Sequence, residues 1–375
     1  MPGSHLNEGT FTMTLDLTTN YGGLRLRTPI VVGACPLTAN EQTRMALENA
    51  GAGAVVLPSL FEEHVVSWNH RRGHTSQLQD PRELDRLREN TRDTVCPDAE
   101  TYLAMVNRAS IQLSIPVIAS LNGATDGDWL DFAGELQDAG AAAIELNIHH
   151  SPARNYQGPR ELEDKVVDLA KSINNSITVP LFLKLNREYT SVCHLARRLL
   201  SGAQGLVLYG RDPNVDITLD NCQVKTHWGL TQPGSIGQTL GALMSVYGYC
   251  PAMPLAGSGG IGSPEDFIKV LLAGADVGMV VSAVYREGPD VIRTMLDGLM
   301  QFMEQNQLGS LNEIQAKRPL EFSSEEERMN CIRQFSTRPD WLEINAANRN
   351  IQGDRWGHPQ RCQPQLVTSP PPPMH

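Results

Sequence analysis

Two short patterns alternate along the chain and constrain its fold more than any other feature. One is a proline that opens an apolar run, and the other is a small residue, a glycine and an alanine that precede such a run. Proline is tolerated at the first residue of a strand, and glycine readily adopts the left-handed conformation that ends helices. The patterns therefore predict strand starts at Pro29, Pro116, Pro180 and Pro254, and helix ends at Gly51, Gly140, Gly202 and Gly274.

Each proline-to-glycine interval has room for one strand and one helix, and the runs after the glycines supply four more strands. Helical spacing of apolar residues is visible at 130–136 and 267–272. The eight strands are nearly continuous apolar runs, as is typical of parallel strands covered on both faces. The predicted fold class is α/β, a (β/α)8 TIM barrel. An open doubly wound sheet is the alternative, but Gly33-Ala34-Cys35-Pro36 replaces a G-x-G-x-x-G motif after the first strand.

The segments outside the repeat complete the domain organisation. Residues 15–27, with Tyr21-Gly22-Gly23 as the turn, predict a small β-hairpin at the barrel floor. Residues 61–98 are a long polar stretch of the kind that forms lids or binding loops, and a second insert spans 211–235. We predict a flexible N-terminus at 1–13, a barrel at 14–308, a helical C-terminal extension at 309–352 and a flexible proline-rich tail at 353–375.

Composition limits the classes of function. The chain has 375 residues, 41% of them hydrophobic, which excludes a disordered protein. The 31 Lys+Arg against 42 Asp+Glu give a net charge of −11, which argues against nucleic acid as a partner. The seven cysteines form no C-x-x-C pair, so reduced thiols and a cytoplasmic location are expected. No signal peptide or run of about 18 apolar residues is present, so no membrane partner is expected.

The carboxyl ends of the barrel strands nominate the candidate site, because chemistry lies there in this fold. Gly259 and Gly260 precede a helix start, and with Ser282 and Ala283 they could form a phosphate cradle. A tight turn explains the same glycines equally well. Lys184 ends an apolar strand, where an ammonium group needs an anion, a ligand or solvent.

The strand-4 end combines amide, carboxylate and imidazole groups. Asn147 offers an amide for a polar heterocycle, as does Asn122 on the preceding strand. Glu145 shares the strand face of Asn147 and could lie in the barrel interior or pair there, and the sequence assigns it no role. His149 and His150 could be a base, metal ligands or rim residues, but neighbours in a strand point apart, so these two alone do not predict a metal site. A metal site that also uses His64, His70 and His74 of the 61–98 stretch is an alternative, and the leading prediction contains no metal.

Several stretches together resemble the dihydroorotate dehydrogenase family, in particular its divergent dihydroorotate dehydrogenase-like branch. The likeness covers about residues 14–305. The residues that carry it are Tyr21-Gly22-Gly23-Leu24, 54–63, 116–123, Glu145-Leu146-Asn147-Ile148, Gly259-Gly260, 272–277, Ser282-Ala283 and Gly288-Pro289.

The resemblance implies an FMN-dependent oxidoreductase that oxidises a CH–CH bond, converting dihydroorotate to orotate in pyrimidine biosynthesis, or acting on a related substrate. It implies a small-molecule substrate and a soluble electron acceptor such as fumarate, and a homodimer is compatible with it. Lys184 would face the N1/O2 side of the ring as a catalytic residue. The other implied cofactor-binding residues are Ala34, Ser59, Asn122, Asn147, Gly210, Gly259, Gly260, Ser282 and Ala283.

The chain departs from the family pattern where substrate would be recognised. The catalytic base falls on His150 in direct register, or on Ser151 with one inserted residue. Pro58 replaces the family's lysine after strand 2, and Gly210 replaces its asparagine after strand 6. The family's substrate loop is absent from 61–98. FMN is therefore better supported than dihydroorotate. The alternatives are a barrel lyase or isomerase of a phosphorylated substrate, with Lys184 as a Schiff-base or electrostatic group, and a catalytically degenerate flavin-binding relative.

Overall fold

The apolar runs of the repeat form eight parallel strands that close into a barrel. In chain order they are β3 (Ile30–Val32), β4 (Ala54–Phe61), β5 (Val117–Gly123), β6 (Ala143–Ile148), β7 (Leu181–Leu185), β8 (Gly205–Leu208), β11 (Leu255–Ser258) and β12 (Val277–Val280). Each strand pairs with the next, and β12 pairs with β3 to close the ring. This computed structural model describes residues 15–73, 94–96, 98–123, 131–148, 158–318 and 328–333. The predicted (β/α)8 barrel is confirmed.

Helices surround the barrel and bury their apolar faces against its outer surface, while a second buried cluster fills the interior. The helices are α1 (Glu41–Ala50), α2 (Glu62–Arg71), α3 (Ala99–Gln112), α4 (Phe132–Asp138), α5 (Pro159–Ser176), α6 (Val192–Leu199), α7 (Gly237–Tyr249), α8 (Pro264–Leu272), α9 (Ser282–Glu287), α10 (Val291–Gln305) and α11 (Leu311–Ala316). Within the described residues, no helix is long and apolar enough to cross a membrane.

The sequence pattern located most of the turns correctly. Each of the four prolines immediately precedes a barrel strand. Gly51, Gly140 and Gly274 have left-handed φ angles of 108°, 104° and 122°. The same expectation is wrong for Gly202, which is not left-handed. Gly202 is required by close packing instead, because a Cβ there would lie 2.9 Å from the backbone nitrogen of Lys171.

The predicted N-terminal hairpin closes the barrel floor. It consists of β1 (Thr19–Tyr21) and β2 (Leu24–Leu26). The Tyr21 ring stacks on Phe182 with 4.2 Å between the ring centroids, and both side chains are fully buried. Gly22 has a φ of 54°, and a Cβ there would lie 2.4 Å from the carbonyl oxygen of Gln204. The hairpin therefore fills the amino-terminal end of the barrel.

The two predicted inserts have regular structure in their described parts. The polar stretch 61–98 does not begin as a loop, because α2 follows β4 directly and buries Val65 and Val66. Residues 74–93 and 97 lie outside the described part. In the second insert, β9 (Asn214–Thr218) and β10 (Gln223–His227) form an exposed antiparallel hairpin.

The chain divides into two compact units, Met1–Leu320 and Glu321–His375. The first unit contains the barrel and α11. In its last residues, the buried Arg318 side chain donates to the carbonyl oxygens of Leu271 and Ala275 at 3.1 and 2.6 Å. In the second unit, residues 328–333 are helical and exposed.

Candidate active site

Three of the predicted site residues occupy neighbouring positions on adjacent strands. Asn122 of β5 is paired in register with Asn147 of β6, and Asn147 is paired with Lys184 of β7. All three lie near the carboxyl ends of their strands. The structure therefore brings two amides and one ammonium group to one side of the barrel mouth.

Lys184 is buried rather than solvated, and the structure shows which anion it meets. Its side chain is 10% exposed, and Nζ lies 3.3 Å from Oε1 of Glu145, whose side chain is 1% exposed. Met279 of β12 approaches from the far side, with 3.7 Å between its Sδ and Nζ. A buried ammonium is tolerated when an anion compensates it. Glu145 had no role assigned from sequence, and the structure makes it the partner of Lys184.

Gly210 lies beside this group, and Ala34 lies just after β3. The Gly210 amide donates to the carbonyl oxygen of Leu185 at 2.7 Å. A Cβ on Gly210 would lie 3.9 Å from both Oδ1 of Asn147 and Cγ of Lys184. Ala34 packs against the interior cluster just after β3. Both strand ends therefore carry a small residue with little or no side chain.

Ser59 is held by an irregularity in the barrel wall. Proline is rare inside a central strand because it cannot donate to the ladder, and the pairing of β4 with β5 shifts register between Val56 and Ser59, around Pro58. Ser59 Oγ lies 2.8 Å from Ser120 Oγ. From α3, the Tyr102 hydroxyl accepts from Ser120 N at 2.8 Å and donates to Ser120 O at 3.1 Å. Tyr102 was not predicted, although a proline within a strand signals such a bulge.

The glycines after β11 have the conformations that a backbone cradle requires. Gly259 and Gly260 have φ angles of 93° and 78°. A Cβ on Gly259 would meet nothing within 4 Å, so there is room beside its backbone. Ala283 is buried in the first turn of α9.

Thr231 connects the two halves of this cradle and was missed in the sequence. Its Oγ1 accepts from the Gly260 amide at 3.2 Å and lies 3.0 Å from Ser282 Oγ, which also accepts from Thr231 N at 3.1 Å. Asp266 Oδ2 accepts from the amides of Gly234 and Gly262 at 3.2 and 3.0 Å. The end of the second insert is thereby attached to the cradle. Thr231 follows an exposed hairpin, and nothing in the sequence there indicates its contact with the cradle.

The two candidates for the base lie outside the described residues. The described part of β6 ends at Ile148, so the structure does not place His150 or Ser151. His64 of α2 is buried, and its Nε2 lies 3.0 Å from Thr94 Oγ1. Among the residues described, no group of three or more His, Cys, Asp or Glu could hold a metal ion.

The donor set suits a planar anionic cofactor with a phosphate. Open space beside a left-handed glycine allows close approach to backbone amides, and Lys184 supplies a buried cation near two amide side chains. The fold and this constellation define a (β/α)8 barrel with a polar site at its carboxyl-terminal mouth, a position that enzymes of this fold use for catalysis.

Comparisons with known proteins agree with this class. The dihydroorotate dehydrogenase family profile matches residues 94–303. A protein of Aeropyrum pernix named "Putative dihydroorotate dehydrogenase A (fumarate)" is 27% identical over 305 residues, covering 80% of this chain and 96% of its own. A protein of Methanocaldococcus jannaschii named "Dihydroorotate dehydrogenase B (NAD(+)), catalytic subunit" is 24% identical over 311 residues, with the same coverage. The chain belongs to the dihydroorotate dehydrogenase family, whose enzymes are flavin-dependent oxidoreductases.

Proposed function

We propose that this protein binds FMN and oxidises a CH–CH bond of dihydroorotate, giving orotate, or of a closely related substrate. The observation that carries the proposal is the buried Lys184 ammonium beside Asn147, at the same barrel mouth as the glycine cradle of β11. A fixed cation beside a flavin ring stabilises the negative charge of its reduced form. Bound FMN would supply the acceptor for a hydride from the substrate.

The chain's own residues divide the binding of FMN between two regions. Gly259, Gly260, Ser282 and Ala283 would hold the phosphate, with Thr231 keeping the two halves of the cradle together. Lys184, Asn122 and Asn147 would face the ring, which would also pass Ala34, Ser59 and Gly210. The register of Asn122, Asn147 and Lys184, the position of Gly210 and the contacts of Thr231 support these assignments.

The base that removes the substrate proton is proposed to be His150 or Ser151. Imidazole titrates near neutral pH and suits this task, whereas a serine hydroxyl needs activation by a neighbour. Comparing His150→Ala with Ser151→Ala for the rate of flavin reduction decides between them. If neither substitution slows reduction, both candidates are wrong.

The electron acceptor is proposed to be fumarate or another soluble compound. The name of the Aeropyrum relative refers to fumarate, and that of the Methanocaldococcus relative to NAD(+). Pro58 and Gly210 stand where the family has a lysine and an asparagine, which supports a substrate related to dihydroorotate as readily as dihydroorotate itself. Anaerobic reoxidation by fumarate, NAD(+) or a quinone analogue, followed by flavin absorbance, ranks these acceptors.

The Schiff-base lyase alternative is disfavoured by the geometry of Lys184. A lysine must be neutral to attack a carbonyl group, whereas its Nζ lies against the Glu145 carboxylate. The absorbance spectrum of the purified protein tests this directly. Flavin bands released as FMN support the proposal, and a colourless protein that takes up no added FMN contradicts it. Bleaching of the flavin bands by dihydroorotate under anaerobic conditions supports dihydroorotate as the substrate. If only other precursors of unsaturated acids bleach the flavin, one of them replaces dihydroorotate as the proposed substrate.

We further propose that residues 14–308 form the FMN-binding barrel, followed by a helical extension at 309–352 and a flexible tail at 353–375. The free thiols among the described cysteines support a cytoplasmic location. A homodimer is the proposed assembly, and sedimentation velocity of the full-length chain tests it.

A further inference from the structure

A line of paired residues crosses four neighbouring strands near the barrel mouth. Phe61 at the end of β4 is paired in register with Asn122 of β5, Asn122 with Asn147 of β6, and Asn147 with Lys184 of β7. We call these four residues the mouth row. Residues paired in register on parallel strands point to the same face of the sheet. Phe61 therefore belongs to the same wall as the three polar residues of the candidate site.

The alternation of side chains along β4 shows that this wall is the interior one. Leu60 packs in the outer cluster, between the barrel and its helices. Ser59, on the opposite face, lies 2.8 Å from Ser120, Oγ to Oγ, and Ser120 comes two residues after Ile118 of the interior cluster. Phe61 is two residues beyond Ser59 in the same strand, so its ring also faces the interior.

Exposure increases along the mouth row from β7 to β4. Lys184 is buried and the two asparagines are partly buried, whereas Phe61 is 38% exposed. Strands in a barrel of this type are tilted by about 36° to the barrel axis, so a line of paired residues climbs from strand to strand. Three strand spacings of about 4.8 Å separate Phe61 from Lys184. Phe61 therefore lies nearer the opening than Lys184 does.

The Phe61 ring is held in place although it is exposed. Its backbone is paired with β5 on one side, and α2 begins at the next residue on the other. The Phe61 N–H donates to Nδ1 of His64 at 3.3 Å, and the two rings lie 6.1 Å apart between centroids. Sites for small molecules combine apolar and aromatic walls with a few polar groups. Phe61 supplies a preformed aromatic surface beside two amides.

The β4 side of the mouth offers no positive charge. None of residues 54–61 is charged, and Glu62 and Glu63 follow in the first turn of α2. Like charges placed side by side are costly, so these carboxyl groups disfavour an anionic group of a ligand next to Phe61. An uncharged ring edge or face, by contrast, packs favourably on a phenyl ring.

We propose that Phe61 is a specificity-determining residue whose ring packs against a planar heterocyclic substrate, with the charged groups of that substrate pointing away from β4. Because Phe61 lies nearer the opening than Lys184, it contacts the molecule that reacts with the cofactor rather than the cofactor itself. This inference rests on the proposed FMN function and adds to it which part of the substrate faces β4.

The first experiment observes the ring of Phe61 in the full-length, FMN-loaded protein. The chain has eight phenylalanines, and ¹³C at Cζ gives one signal for each, so the signal lost in Phe61→Leu identifies Phe61. Orotate, uracil and thymine are added in turn as planar heterocyclic probes. We expect the Phe61 signal to shift on binding, because a neighbouring ring changes the local magnetic field. The proposal is overturned if probes that change the flavin absorbance leave the Phe61 signal in place, or if none of the three binds.

The second experiment measures the affinity for the same probes from the change in flavin absorbance. Phe61→Ala should bind them about five- to thirtyfold more weakly, as expected for the loss of one partly exposed aromatic contact. Phe61→Tyr keeps the ring and should stay within about twofold of the parent protein. Equal affinities in the parent protein and in Phe61→Ala would assign Phe61 to packing alone.

The matched control is Tyr249→Ala. Tyr249 is also an exposed aromatic residue, at the end of α7, and it precedes β11 in the chain. It therefore lies toward the amino-terminal end of the barrel, opposite the mouth, and its replacement should leave the affinity for every probe unchanged.

The outcomes separate this inference from the proposed function. A protein that takes up no FMN contradicts the proposed function and this inference with it. A protein that takes up FMN and binds a probe without any effect at Phe61 contradicts only the inference. If Phe61→Ala weakens FMN binding as strongly as probe binding, Phe61 contacts the cofactor and its assignment to the substrate is wrong. If Phe61→Ala does not fold, the signal assigned through Phe61→Tyr still decides whether the ring contacts the probe.

Discussion

Replacing Tyr102 with phenylalanine should destabilise the barrel wall next to the site. The Tyr102 hydroxyl satisfies both the N–H and the C=O of Ser120, at 2.8 and 3.1 Å, and neither residue is accessible to solvent. Phenylalanine keeps the ring and removes both hydrogen bonds. A buried polar backbone group without a partner costs about 1–3 kcal/mol. The two groups together predict a loss of about 2–6 kcal/mol in the free energy of unfolding.

Urea denaturation followed by circular dichroism measures this loss as a lower midpoint at an unchanged slope. Tyr249→Phe is the matched control, because Tyr249 is 52% exposed, and it should change stability by less than about 0.5 kcal/mol. A loss below about 0.5 kcal/mol for Tyr102→Phe would refute the reasoning. It would mean that β4 hydrogen-bonds to the N–H and C=O of Ser120 when the phenol is absent.

The same contact predicts a dependence on alkaline pH. Burial raises the pKa of Tyr102 above its ordinary value of 10. The folded state therefore holds this proton more tightly than the unfolded state does, and the contribution to stability is complete below pH 10 and declines as the pH rises above it. The stability difference between the parent and Tyr102→Phe should shrink above pH 10, which denaturation curves at pH 8 and pH 10.5 compare.

Three further predictions concern other buried contacts. Arg318→Ala removes charged hydrogen bonds to two buried carbonyl oxygens and should lower the free energy of unfolding by about 3 kcal/mol. Urea denaturation measures this loss, and a loss within experimental error would contradict the packing of residues 309–318. Burial raises the pKa of the Asp276 carboxyl group above its ordinary value of 3.8. The free energy of unfolding of the parent protein, relative to that of Asp276→Asn, should therefore fall as the pH rises from 3.8 through the raised pKa. A rise over the same pH range would contradict the direction of the shift. Gly260→Ala would place a Cβ 2.6 Å from the backbone of Ser235, whereas a Cβ in Gly259→Ala would meet open space and add only left-handed strain of about 1–2 kcal/mol. Fluorescence titration should therefore show weaker FMN binding for Gly260→Ala than for Gly259→Ala.

The strands, the barrel and the strand-end polar residues could be predicted from sequence because each depends on a local signal. A proline before an apolar run marked the strand starts, and Lys184 stood out as a charge at the end of such a run. Partners across the barrel were not accessible in this way. Alternation placed Glu145 and Asn147 on one face, but it did not show that Lys184 reaches down toward Glu145 rather than outward to solvent.

The residues that were missed or misinterpreted all act through contacts that are distant in sequence. Thr231 joins the cradle by returning from an insert whose length alone does not show where its end will lie. Tyr102 acts through one hydroxyl group at a strand bulge, whereas helical periodicity reports only that its side chain faces the core. Gly202 looks like the other helix-ending glycines, but it is required by the approach of another backbone, which depends on packing between α5 and the loop before β8.

The filled floor of the barrel has a consequence for the order of events in the proposed reaction. With the Tyr21–Phe182 stack closing the amino-terminal end, substrate, product and electron acceptor must all pass through the carboxyl-terminal mouth. A substrate and a soluble acceptor that react in turn at one site behind this entrance would exclude each other. Initial rates measured against both substrates should therefore give parallel lines in double-reciprocal plots, and product should inhibit competitively against the acceptor.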